Sequence, residues 1–390
     1  MTSYKGRIFF ATAFISLLAM AFGSCSQRDA NAKSLRPEPD RIDSFNTVSL
    51  TFAGDIMMHQ PQITSAEMGG GKYDMEPVFR FISPYIERSD IAVANLETTL
   101  AGQPYSGYPQ FSAPDTLAWF LKNAGFDLIV TANNHSADKG LKGITRTLDV
   151  LDRYDIPHTG TFRNRDEKNS TYPLIIEKNG LKLAFLNYTY GTNGLPVPAP
   201  AIVNPIDTTQ IREDIAAAKA AKADAVIVLI HWGLEYELQP NKEQENLARF
   251  CFSRGCDLLI GSHPHVLQPA RWEAYKKDTL EDQGFVVYSL GNFVSNQRKP
   301  NTDGGMLFYV TLQKNKFTNV LTVGETTFLP TWVFISNAND RKTYHILPAV
   351  KYENDTNGWI PPADKAAMLT FLNNARKHLT DTLNNITEYK

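Results

Sequence analysis

From Val48 onward, short apolar runs stop at a polar cluster rich in Asp, Asn and His, and they do so repeatedly. Val48–Ala53 leads into Gly54-Asp55-Ile-Met-Met-His59, Ile91–Ala94 into Asn95-Leu96-Glu97, and Leu128–Ala132 into Asn133-Asn134-His135-Ser-Ala-Asp138. Ala225–Ile230 leads into His231-Trp232-Gly233-Leu234-Glu235, and Leu258–Ile260 into Gly261-Ser262-His263-Pro264-His265. Phe285–Leu290 ends on Gly291-Asn292. Short apolar runs bounded in this way read as buried strands. Helical patterns lie between several of them: Pro114 to Ala124, Leu141 to Tyr154, Thr208 to Ala221 behind the cap Asp207, and Lys242 to Arg254 between the cap Asn241 and the stop Gly255. This alternation implies an α/β fold with a mainly parallel sheet. Asn179-Gly180 between Leu174–Ile176 and Leu181–Asn187 predicts a hairpin.

After Gly291 the pattern changes. Met306–Gln313, Val320–Val323, Thr326–Pro330, Thr331–Ser336 and Tyr344–Val350 read as strands without helices between them, suited to a second, antiparallel sheet packed on the first. Pro361–Leu383 reads as a C-terminal amphipathic helix. The main domain is placed at residues 47–350, with a helical extension over 351–390.

In an open α/β sheet, ligands bind beyond the carboxyl ends of the strands, so polar groups at several strand ends predict one site. Five of the eight histidines (59, 135, 231, 263, 265) fall there. Imidazole, carboxylate and amide without thiolate suit a catalytic divalent ion, Mn, Fe or Zn. His263 and His265 would share a face if extended, a geometry that Pro264 favours in His263. One helical turn would bring Asp55 and His59 together. A single Asn-His or His-Pro pair is more often a turn or a structural histidine, and Asp55 alone reads equally as a cap; the reading as a site rests on their coincidence. His158 is assigned to the pocket or the scaffold, and His345 and His378 to the scaffold. Gly69-Gly70-Gly71 reads as a flexible loop, since no phosphate-binding Lys-Ser/Thr follows. A formal net charge of -2 gives no footprint for nucleic acid.

Lys5 and Arg7 precede an uncharged run, Ile8 to Phe22, and then Gly23-Ser24-Cys25. This is the layout of a secretory signal, too short to span a bilayer as a mature helix. Phe22-Gly23-Ser24-Cys25 resembles a bacterial lipoprotein cleavage site. Residues 1–24 are therefore expected to be removed, Cys25 to carry lipid, and residues 25–46 to form a tether. The mature protein would sit in the bacterial cell envelope, anchored outside the cytoplasm. With three cysteines in all, Cys251 and Cys256 remain; they lie far apart around a helix and read as free, buried thiols.

In their order, the strand-end motifs resemble the poly-γ-glutamate capsule biosynthesis (CapA) family across Val48 to Val294. The matching pieces are those at 54–59, 95–97, 132–140, 231–236, 261–266 and 288–293. That family is similar to calcineurin-like metallophosphoesterases, which implies a four-layer αββα sandwich holding one or two ions. The resemblance maps metal ligands onto Asp55, His59, Glu97, Asn134, His231, His263 and His265. It gives His135 the role of general acid or charge stabiliser, with Asp138 orienting it. Asn95, Trp232, Glu235, Tyr236 and Asn292 would line the pocket, with Phe293 as a further wall. Three departures bear on the geometry: the spacing of Asp55 and His59, the Glu at position 97 where an Asp is usual, and the extra Ser262.

Three functions are compatible with these residues. One is a metal-dependent phosphoesterase linked to capsule or other surface-polymer synthesis. The second is a non-catalytic component that binds or anchors an anionic polymer; its only basic clusters, Arg298-Lys299 and Lys276-Lys277, read as solvated surface. The third is a metal-dependent amidohydrolase of γ-glutamyl or cell-wall amides, whose barrel form would need a closed sheet.

Overall fold

The structure is a computed structural model that describes residues 44–277, 280–338, 341–380 and 386–389. The signal, Cys25 and most of the tether lie outside them. In chain order the main strands are β1 (Phe45–Ile56), β2 (Ile91–Leu96), β3 (Leu128–Val130), β4 (His158–Thr159), β5 (Leu174–Lys178), β6 (Leu181–Thr189), β7 (Ala225–His231) and β8 (Leu258–Ser262). Then come β9 (Leu267–Lys277), β10 (Leu280–Leu290), β11 (Asn292–Val294), β12 (Gly304–Asn315), β13 (Leu321–Ala338) and β14 (Arg341–Pro348). The longer helices are α1 (Gln60–Ala66), α2 (Thr116–Asn123), α3 (Gly140–Arg153), α4 (Thr208–Ala220), α5 (Lys242–Arg254) and α6 (Pro362–Leu379).

Two sheets result. The first runs β14-β13-β12-β1-β2-β3-β4 with β11 beside β1; the second runs β9-β10-β8-β7-β6-β5. The central strands of each are parallel. Side-chain alternation decides the layering. In β2, Ile91 and Val93 face the second sheet, in one cluster with Phe185, Ile227, Leu258 and Phe285, while Ala92, Ala94 and Leu96 face α2 and α3 through Leu117, Leu121, Val150 and Leu151. In the second sheet, Val226, Val228 and Leu259 face α4 and α5 through Ile211, Ile215, Ala248 and Phe252. The layer order is therefore αββα, and β7 is buried along its whole length because helices and a sheet cover its two faces. Phe285 of one sheet stacks on Phe308 of the other, with ring centroids 5.6 Å apart.

A recurrent device sets the starts of the parallel strands. Asp90, Asp127, Asp224 and Asp257 precede β2, β3, β7 and β8. Their carboxylates accept the backbone N–H of Ser49, Ala92, Lys182 and Val226 on the neighbouring strand, at 2.7–2.9 Å. This pins the register at the end opposite the site.

Several expectations are corrected. The strands after Gly291 do not form a second sheet. β12 pairs antiparallel with β1 from Phe45↔Asn315 to Ala53↔Leu307, so they extend the first sheet, and the second sheet is built from residues 174–290. The runs expected separately over 320–336 are one 18-residue strand, β13. Pro330 does not break it, because on that edge β14 pairs only from Thr331 onward. β9 escapes sequence reading, as an edge strand whose Gln, Arg, Glu and Lys residues mask the alternation. β1 begins at Phe45, inside the expected tether. The triglycine closes a small hairpin between Glu67–Gly69 and Lys72–Tyr73. Neither sheet closes on itself, which removes the barrel form of the amidohydrolase reading. The caps at Asp207, Asn241 and Gly255 (φ 101°) are as expected. Cys251 and Cys256 are free and buried, and burial pushes the Cys251 thiol up to about 12.

α6 lies in neither helical layer. Its Met368, Phe371, Leu372, Ala375 and Leu379 join the cluster between the sheets, and the helix touches both β9 and β13. It closes one open side of the sandwich.

Candidate metal centre

The site forms where the parallel strands of both sheets end. Asp55 is positioned by a close backbone approach. A Cβ on Gly54 would lie 1.9 Å from the Gly291 carbonyl oxygen, so only glycine fits there. The absence of a side chain lets the Asp55 N–H donate to that carbonyl at 3.1 Å. Gly291 (φ 68°) is where the chain leaves β10 in the second sheet for β11 in the first, so this contact ties the two sheets together beside Asp55.

Asp55 is fully buried. Its Oδ1 accepts from Asn95 Nδ2 at 2.8 Å, and its Oδ2 lies 3.1 Å from His265 Nδ1 and 3.3 Å from the His263 N–H. Asn133 Nδ2 donates to Asn95 Oδ1 (3.2 Å), fixing the amide that holds Asp55. Asn95 therefore holds the Asp55 carboxylate in place.

Glu97 is fully buried, and neither of its oxygens has a hydrogen-bond partner. Its Oε1 lies 3.7 Å from His231 Nε2 and 3.8 Å from His265 Nε2. Burial, with the Asp55 carboxylate second, drives its pKa well above the ordinary value, and in the protonated form the Glu97 carboxyl can donate to Asp55. Two groups of potential ligands share this residue: Asp55, Glu97 and His231, and Glu97, His263 and His265. In each, the ligand atoms lie within 4.8 Å of one another.

His231 Nδ1 is 2.9 Å from the Ser262 hydroxyl and its Nε2 is 3.0 Å from Asn134 Oδ1, so the extra Ser262 fixes the His231 ring from behind. Burial, then neighbouring imidazoles, depress His231 well below its ordinary value and His263 to about 3. Both rings are neutral at pH 7, the form that binds a metal. His263 Nδ1 is buried without a partner. The His263-Pro264-His265 segment is not extended as expected: φ is 99° at His263 and 59° at His265. Such left-handed backbone costs about 1–3 kcal/mol at a non-glycine residue, and here it turns the two rings to within 5.9 Å of each other.

Asn134 is held from both sides, with its Oδ1 toward His231 and its Nδ2 donating to Asn193 Oδ1 at 3.2 Å. His135 Nδ1 is 2.8 Å from Asp138 Oδ2, which also accepts the Phe111 N–H at 2.7 Å. The Phe111 ring packs edge-on against His135, and an Nδ1–H donating to Asp138 leaves Nε2 as the unprotonated ring nitrogen of the neutral imidazole.

His59 belongs to neither ligand group. It caps α1, with Nδ1 3.2 Å from Gln62 Oε1 and 3.3 Å from the Asn296 N–H, and burial lowers it to about 4. The segment between Asp55 and His59 is a loop and not the helical turn expected. Trp232 is also displaced from its expected place: buried, it stacks on Tyr288 and donates Nε1–H to the Tyr288 carbonyl, as a core residue. Phe293 packs on Phe126 in the other outer layer. Asn292 Nδ2 donates to Gln297 Oε1 and the Thr302 carbonyl, pinning the 295–303 loop, while its buried Oδ1 has no partner. Glu235 is exposed and Tyr236 is half-buried with its ring 6.2 Å from His265, so these two do reach the rim.

Sequence reading missed part of the rim. The Tyr190 ring lies 4.5 Å from that of His263. Lys299 Nζ lies 3.7 Å from the centroid of the Tyr236 ring, so the Arg298-Lys299 pair belongs to the mouth of the site and not to remote surface. For Tyr190 a signal was present: β6 also ends in polar residues, Thr189-Tyr190-Gly191. His158 (Nδ1 2.9 Å from the Ile156 carbonyl) and His345 (between Pro77 and Ser336) serve the scaffold.

The family described as bacterial capsule synthesis protein PGA_cap matches residues 49–297. The capsule biosynthesis protein CapA of Bacillus anthracis is 33% identical over 285 residues, 69% of this chain and 64% of that protein. The chain thus spans just under two thirds of that relative. The PGA biosynthesis protein CapA of Bacillus subtilis is 31% identical, covering 70% of each. Among solved structures, the NAD nucleotidase of Haemophilus influenzae aligns over 89% of this chain and 65% of that one, at a TM-score of 0.48 and 11% identity. A 5'-nucleotidase from Candida albicans aligns over 84% and 57%, at 0.38 and 10%.

Proposed function

The chain belongs to the bacterial capsule synthesis protein family, and from that membership and the geometry above we propose that it is a metal-dependent hydrolase, of phosphoesterase type, acting in surface-polymer synthesis. One observation carries the reading. Glu97 and Asp55 are fully buried carboxyls set against each other, and no N–H donates to either Glu97 oxygen, a pairing that ionises at a cost unless a cation sits between them; two ligand groups converge on Glu97. The buried, partnerless His263 Nδ1 and the neutral imidazoles fit the same group.

Asp55, Glu97, His231, His263 and His265 would hold one or two divalent ions, with the Asn134 amide oxygen beside them. A bound divalent ion polarises a phosphoryl oxygen and acidifies a coordinated water. The chain's own groups do the rest. Asn95 and Ser262 fix the orientation of Asp55 and His231. Asp138 holds His135 with Nε2 outward, where its protonated form can donate to a departing oxygen. Arg298 and Lys299 place positive charge at the mouth, which favours an anionic polymer or phosphoester substrate. The capsule role of the relatives fits an envelope location, and the Cys25 motif supports lipid anchoring there. Among the described residues no helix is long and apolar enough to cross a membrane.

The test is elemental analysis of the purified protein with phosphodiester, phosphomonoester and γ-glutamyl amide substrates. We expect bound Mn, Fe or Zn and phosphoester turnover. His135→Ala should lower kcat by about 10²–10⁴-fold with metal content unchanged. A metal-free protein, or unchanged turnover in His135→Ala, sinks the proposal; turnover of the amide alone moves it to the amidohydrolase class.

A further inference from the structure

The end of the sandwich opposite the metal centre carries features that hydrolysis does not use. β1 runs from Phe45 at that end to Asp55 at the site. The same end holds the turn between β12 and β13, whose Lys316 N–H donates to the Ser44 carbonyl at 2.8 Å. It also holds the β5–β6 turn, where Asn46 Nδ2 donates to the Gly180 carbonyl. The start of β10 lies there too, because β10 runs parallel to β8 and its pairing begins only at Phe285.

Large apolar side chains stand exposed on the β12–β13 turn, at Phe317 (70%) and Val320 (56%), at the start of β10, at Leu280 (74%), and at the start of β1, at Phe45 (39%). Exposed lysines accompany them at 178, 222, 276 and 316, with the exposed acids Glu177, Glu281 and Asp282 among them. Apolar side chains on several tips, each with lysine nearby, suit a lipid interface, where the tips enter among headgroups and the ammonium groups stay in water. A protein partner would more usually meet one contiguous apolar patch. The chain before Ser44 meets the fold at this end, and its sequence carries the Ile8–Phe22 apolar run and Cys25.

We infer that this end is a membrane-contact surface, with Phe317, Val320 and Leu280 entering the headgroup region of a bilayer. The metal centre then stands at the far end of β1, roughly 35 Å away at about 3.3 Å per residue. The substrates it reaches are polymer or free phosphoester away from the bilayer, and not groups held at the lipid surface. The inference is independent of the hydrolase reading, since a binding protein would be oriented in the same way.

The test places single cysteines at Phe317→Cys, Leu280→Cys and, as a control at the mouth, Tyr108→Cys, whose ring lies 6.4 Å from that of Phe111 beside His135, in the full chain. Each is labelled with nitrobenzoxadiazole and reconstituted into vesicles of phosphatidylethanolamine and phosphatidylglycerol. Cys251 and Cys256 are buried, and label on the unsubstituted chain is subtracted. A several-fold rise and blue shift of emission at 317 and 280, with none at 108, is expected. The inference is overturned by no shift at 317 and 280, by an equal shift at 108, or by a shift that needs added envelope proteins. Metal content and turnover, which test the hydrolase reading, are not read by these probes.

Discussion

Glu97 shows how a single residue can be kept at a cost to folding. Its carboxyl is raised well above the ordinary value, so the folded chain holds a proton that the unfolded chain releases above about pH 4.3. Glu97 therefore costs stability as pH rises beyond that point. Glu97→Gln should raise the stability of the chelator-treated protein at pH 7 by about 1–2 kcal/mol while abolishing metal binding; calorimetry and elemental analysis read the two effects. The histidines act in the opposite sense. His59 and His263 are lowered by burial to about 4 and about 3. Below about pH 6.5 the unfolded chain takes up protons that the folded chain refuses. In the metal-free Glu97→Gln protein, where the opposing Glu97 contribution is gone, stability should thus fall as pH drops from there toward the two folded values, with no histidine slope above it; its thermal midpoint measured from pH 7.5 to 5 checks this. The convergence of Asp55, Glu97, His231, His263 and His265 was legible in the sequence, because so many polar groups fall just past strand ends in one chain. The separation of His59 from the ligand groups was not, since the loop after Asp55 depends on the capping of α1.

The elements were legible where their chemistry is local. The caps of α4 and α5 follow from Asp207, Asn241 and Gly255, whose side chains or backbone satisfy the helix ends directly. Asn241→Ala should cost about 1 kcal/mol by denaturant unfolding. The crossing from β10 to β11 was not legible, because it depends on two glycines far apart in sequence meeting face to face. Gly54→Ala should force the Gly291 carbonyl away, lowering stability by about 1–3 kcal/mol and displacing Asp55. Metal affinity should fall along with the melting temperature. Loss of stability with metal affinity intact would mean that Asp55 is not positioned through this contact.

At the scale of the whole molecule, α6 decides whether the two sheets stay closed on one side. Phe371→Ala should cost about 3–5 kcal/mol, since the ring joins the cluster between the sheets. If α6 only braces the scaffold, phosphoester kcat per folded molecule should be unchanged, which turnover measured against unfolding curves would show. The sequence by itself determined the local facts: which runs are strands, where helices begin and stop, and which side chains are fit to bind a divalent ion. Those follow from periodicity and residue chemistry within a few positions. Tertiary structure decided the long-range ones. It joined β12 to the open edge of β1 instead of starting a new sheet, and it gave the His263–His265 segment a left-handed backbone. It drew Trp232 into the core and brought Lys299 to the mouth of the site. Each of these depends on the pairing or packing of segments distant in sequence, where burial free energy outweighs local preference.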